Sequence, residues 1–97
     1  MEQVFNRSFE RVYAACKQAL HDLDMSIEYR SKQEGRISAS TGGSLFSWGE
    51  TIDISIRNLG NRTKVIVESN SKAQLITWGK NDENENDILN RIEEILG

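Results

Sequence analysis

Ninety-seven residues, 37% hydrophobic and 28% charged, are enough for one core and too apolar for a disordered chain. The formal charge is −3, from 12 basic and 15 acidic residues with no block of Lys or Arg, which argues against a nucleic-acid backbone or an anionic membrane as partner. A single cysteine, Cys16, excludes an intrachain disulfide, and a single histidine, His21, excludes a His-rich metal site.

In chain order, EQVFN reads as a short first strand. Ser8 to Asp24 reads as a helix, because Phe9, Val12, Tyr13, Cys16, Leu20 and Leu23 recur at three- and four-residue spacing. Ser8 suits the N-cap, and Glu10 suits the positive end of the helix dipole. Past Asp24 the period becomes two. MSIEYRSK sets Ile27 and Tyr29 against Ser26, Glu28 and Arg30, and GRISAST sets Ile37 and Ala39 against Arg36, Ser38 and Ser40. Gln33-Glu34-Gly35 between them signals a hairpin, with glycine available for positive φ.

ETIDISIRN alternates strictly, with Ile52, Ile54 and Ile56 on one side and Thr51, Asp53, Ser55 and Arg57 on the other. Asn58-Leu59-Gly60-Asn61 is a further turn, and RTKVIVES a strand with Val65 and Val67 inward. The chain ends in a helix with Ile88, Leu89, Ile92, Ile95 and Leu96 as its stripe and Asn81 or Asp82 as its cap. The predicted architecture is one α+β domain over residues 1–97, ordered β-α-β-β-β-β-α. A curved antiparallel sheet carries both helices on one face.

The pieces EGRISAS, SWGETIDISI and TWGKN give the chain a partial resemblance to a group of small, uncharacterised bacterial domains. The order of elements also resembles the TATA-binding-protein-like and helix-grip folds. The resemblance implies the fold and no activity. An acidic residue is expected before the second Trp-Gly in that group; Thr77 stands there instead.

Both tryptophans are followed by glycine, and the two pairs make the candidate sites. In TWGKN, Trp78 fits a core plug and Gly79 a turn before the last helix, while free amides there with Lys80 could hold an anion. In STGGSLFSW, Leu45, Phe46 and Trp48 crowd a Gly/Ser-rich loop, either closing one end of the core or forming an apolar binding tip. Gly42-Gly43-Ser44 lacks the Lys-Ser/Thr end of a phosphate loop. Asp82, Asn84, Asn86 and Glu93 fall at calcium-loop spacing, but Asp87 occupies the glycine position, so the acidic run reads as a solvated helix start. Glu28, Asp53 and Glu68 are expected to pair across strands with Arg36, Arg57 and Lys64. Cys16 lies on the apolar stripe and reads as a core thiol.

These features predict a non-enzymatic binding module that acts on a partner protein or on itself. The alternative is a binder of a small apolar ligand, with a pocket between the last helix and the sheet. No cofactor, metal, nucleic acid or membrane span is expected. MEQVFNRSFERVY is too charged for a signal peptide, so the expected location is the cytoplasm.

Overall fold

The computed structural model describes residues 1–41, 50–71 and 80–97. The elements are β1 (Glu2–Phe5), α1 (Phe9–Asp22), β2 (Ser26–Ser31), β3 (Arg36–Ser40), β4 (Glu50–Asn58), β5 (Thr63–Ser71) and α2 (Lys80–Leu96). The predicted order is therefore the observed one. The strands form one antiparallel sheet in the order β1-β5-β4-β3-β2. The first strand thus lies beside the last, and the other four form a meander.

Ser8 caps α1 with its side chain accepting from the Arg11 N–H. The helix ends two residues earlier than its apolar period suggests. Leu23 is the C-cap, and Asp24 turns the chain with φ of +59°. That left-handed step lets the Met25 N–H reach the Leu20 carbonyl at 2.9 Å, satisfying an otherwise orphaned group.

The hairpin between β2 and β3 depends on Gly35. Its φ is +68°, and a Cβ there would stand 2.3 Å from the Ile56 carbonyl oxygen. The Gly35 carbonyl accepts from the Ile56 N–H at 2.7 Å, so β4 backbone lies directly against the glycine.

Val12, Cys16 and Leu20 of α1, Ile37 of β3, Ile52 and Ile54 of β4, Val65 and Val67 of β5, and Ile88 and Ile92 of α2 are all at most 1% exposed. Both helices contribute to this one core, so they cover the same sheet face, and no described element covers the other.

Three expectations are corrected. The register of β2 shifts between Ile27 and Tyr29, so Tyr29 comes opposite Ser38 and is 48% exposed instead of joining Ile27 inward. Ile95 is exposed, because the buried stripe of α2 runs through Glu85, Ile88, Leu89 and Ile92. Finally, α2 begins at Lys80, which puts Asn81 and Asp82 inside its first turn instead of at its cap. Acidic residues are favoured there by the helix dipole.

Candidate functional site

The two Trp-Gly stretches are bounded by described residues that share one end of the sheet. Ser40 at the end of β3 pairs with Thr51 at the start of β4, and Glu50 pairs with Ser71 at the end of β5. Leu45, Phe46, Trp48 and Trp78 lie outside the described residues. Lys80 opens α2, and its side chain is likewise outside them.

The same end holds a buried carboxylate that sequence reasoning missed. Strand β1 pairs with β5 only as far as Ile66, with Met1 bonding to Val67 just beyond. Past that point no described strand lies beside the β5 edge. Glu85 of α2 fills the gap: its Oε2 accepts from the Ser69 N–H at 3.0 Å, and its Oε1 lies 3.2 Å from the Met1 amino group. A buried charge is tolerated when paired and hydrogen-bonded in this way. The signal was available in the sequence. Glu85 stands three residues before Ile88 and four before Leu89, on the apolar stripe, and is not part of a wholly solvated acidic run.

The open face consists of the alternate residues of each strand. It carries Val4, Tyr29 and Ile66 among Ser38, Ser40, Thr51 and Ser55, with the acidic Glu2, Glu28, Asp53 and Glu68 and the basic Arg36, Arg57 and Lys64. The expected ion pairs do not form there. Asp53 accepts from the Ser38 hydroxyl at 2.7 Å and Glu28 from the Ser40 hydroxyl at 2.9 Å, while Lys64 pairs with Glu2 of β1 at 3.3 Å. The register explains this. It sets Asp53 opposite Glu68 and Arg57 opposite Lys64, so like faces like, and Asp53 turns to a neighbouring hydroxyl. The Tyr29 hydroxyl donates to Glu34, which raises the phenol's pKa.

Elsewhere the ionisable groups have structural roles. Cys16 is fully buried, and burial pushes its thiol up to about 12, so almost none is thiolate near neutral pH. Arg91 of α2 reaches Asp22 of α1 at 2.8 Å and, with Gln18, holds that carboxyl below its ordinary range. His21 is exposed at the end of α1. Among the described residues no three His, Cys, Asp or Glu side chains gather to hold a metal, and α2 is helical through the stretch with calcium-loop spacing.

Two of the open clefts are lined by described residues. One of about 280 Å³ lies between Phe9 and the Lys32–Gly35 turn, over Ile56 and Asn58. The other, about 240 Å³, lies between β1 and the end of α2, with Phe5, Arg7, Glu93 and Leu96 on its walls. Neither reaches the end of the sheet that bounds the Trp-Gly stretches.

No family model and no curated protein matches the sequence. Among solved structures, the crystal structure of TTHA0849 from Thermus thermophilus is similar, with a TM-score of 0.56 and 14% sequence identity. The match covers 98% of this chain and 93% of the other. At that identity the likeness establishes a shared α+β fold with an antiparallel sheet, and nothing about activity. No described helix is long and apolar enough to cross a membrane.

Proposed function

We propose that the protein is a non-enzymatic binding module whose open sheet face docks a protein surface, that of a partner or of a second copy. One observation carries this reading. Among the described residues, five strands are covered on one side by two helices, and the other side offers a surface of small hydroxyls, three apolar side chains and charges of both signs. Strand edges are less suited to the task. β1 is only four residues long, and β2 is broken by its bulge, two features that discourage edge-to-edge pairing. The open face also carries more acidic than basic side chains, which speaks against duplex DNA, whose binding needs an excess of cations.

A photo-crosslinking side chain at Ser55, with a control at Asn90 on the exposed side of α2, tests the reading. Adducts from position 55 and not from position 90 are expected. Equal capture at both positions, or none at position 55, overturns it.

The second reading, a small apolar ligand held between α2 and the sheet, draws on α2 lying over β5 in the manner of a helix-grip fold. Against it, Ile88, Ile92, Val65 and Val67 are all 0% exposed and leave no room for water beside them. A thermal-shift screen with lipids and aromatic metabolites separates the two. A ligand at ~100 times its Kd adds about 2.7 kcal/mol, and the absence of any shift counts against the pocket.

A further inference from the structure

The open face carries its charges in rows. Asp53 of β4 stands beside Glu68 of β5, and four residues along β4 Arg57 stands beside Lys64. Like charges directly opposite each other weaken a sheet, so neither row is explained by the stability of the isolated chain. Between them runs a middle row in which Ser55 faces Ile66, with Arg36 beyond Ser55 and Glu2 beyond Ile66. At ~3.4 Å per residue the acidic and basic rows are roughly 13–14 Å apart along the strand.

Such a pattern has a geometric consequence when two identical faces meet. A face-to-face dimer has its two-fold axis in the plane between the sheets. If that axis runs along the strands, each acidic row meets the acidic row of the other copy. If it crosses the strands through the Ser55–Ile66 row, strand direction reverses, and each acidic row meets a basic one.

We infer, building on the docking reading above, that the occupant of the open face is a second copy of this chain, related by the axis that crosses the strands. Asp53 then lies over Arg57 of the partner subunit, and Glu68 over Lys64 of the partner subunit. Ser55 and Ile66 sit at the centre, where small and branched side chains allow the usual ~10 Å between stacked sheets. Lys64 keeps Glu2 beside it, so its charge is shared between that ion pair and the contact across the interface.

Two features set the strength. Five strands about 4.8 Å apart and some seven residues long offer roughly 500 Å² per copy, below the ~800 Å² per partner of a stable interface. Arg36 lies on the middle row and meets Arg36 of the partner subunit, as Glu2 meets Glu2 of the partner subunit. The dimer is therefore weak, in rapid exchange and salt-sensitive, and removing the Arg36 charge strengthens it.

Sedimentation of the full chain up to about 1 mM, the weak end of specific association, reads this directly. Raising salt from ~50 to ~500 mM is expected to weaken the dimer about tenfold or more. Arg57→Glu with Lys64→Glu, and separately Asp53→Lys with Glu68→Lys, should each abolish self-association, since each face then carries mostly one sign. An equimolar mixture of the two variants should restore it as a heterodimer. Circular dichroism establishes that both are folded, and the single change Arg36→Ser, expected to tighten the dimer several-fold, keeps the test open if either double variant does not fold. A dimer unchanged in both double variants, or monomers throughout with no heterodimer on mixing, overturns the inference. If the probe at Ser55 still captures a different protein, the docking reading survives that failure; if it captures nothing, both fall.

Discussion

Strand β4 has two unlike sides. On one, Ile52, Ile54 and Ile56 are 0%, 1% and 3% exposed beneath the helices; on the other, Thr51, Asp53 and Ser55 are half-buried and face outward. The backbone is shared, so the difference lies in the side chains alone. Fully burying a branched apolar side chain contributes ~1.5–3 kcal/mol, whereas a cross-strand polar pair contributes ~0.2–1 kcal/mol. The covered side therefore holds the fold, and the open side is left free to be shaped by whatever it meets.

The sharpest test of that division is Ile54→Ala, expected to cost about 2–5 kcal/mol in urea unfolding. A loss comparable to that of an outward residue on the same strand would erase the contrast. Next is Gly35→Ala, which forces a side chain into left-handed backbone and against the Ile56 carbonyl. The strained backbone alone costs ~1–3 kcal/mol, and the clash adds to it by parting β3 from β4. A drop in urea midpoint smaller than that of Glu85→Gln would mean the hairpin relaxes without disturbing the core.

Glu85→Ala removes the carboxylate that accepts from the Ser69 N–H and should cost about 1–3 kcal/mol, while Glu85→Gln keeps an acceptor and should cost less. Equal losses would show that charge, not the hydrogen bond, matters at that edge. Outward changes sit at the bottom of the scale: Asp53→Asn should move stability within about ±0.5 kcal/mol, as surface substitutions usually do.

Asp22 adds a pH dependence, again small because its pair with Arg91 is exposed. Its folded pKa is depressed, so the ion pair's contribution is fully present above the unfolded value of about 3.9 and disappears as pH falls through the lower, folded value. Urea midpoints below pH 4 should therefore fall more steeply for the native sequence than for Asp22→Asn.

Much of this fold was legible where one period ran unbroken. The strict alternation of β4 placed all three isoleucines inward, and the three- and four-residue spacing of α1 placed Cys16 in the core. Errors came where a single local event broke the period. One extra residue in β2 turned Tyr29 to the open face, a bulge that no composition announces. A charge on an apolar stripe hid the burial of Glu85, because burial there depends on a β5 edge that β1 leaves uncovered. The position of β1 beside β5 depends on a pairing between residues some sixty positions apart, which local patterns do not encode. The sequence-derived site is not reached, since the Trp-Gly stretches themselves lie outside the described residues; only the strands that flank them are placed, at one end of the sheet.

The same long-range pairing bears on the order of assembly. β2 to β5 meet their neighbours along the meander, with short turns joining β2 to β3 and β4 to β5, whereas Glu2 must find Ile66. Closing the larger loop costs more chain entropy and rewards it only after β5 is already in place. β1 is thus expected to dock after the transition state. Truncating Phe5, its one buried side chain, should then accelerate unfolding while leaving the folding rate nearly unchanged, and truncating Val67 should slow folding itself.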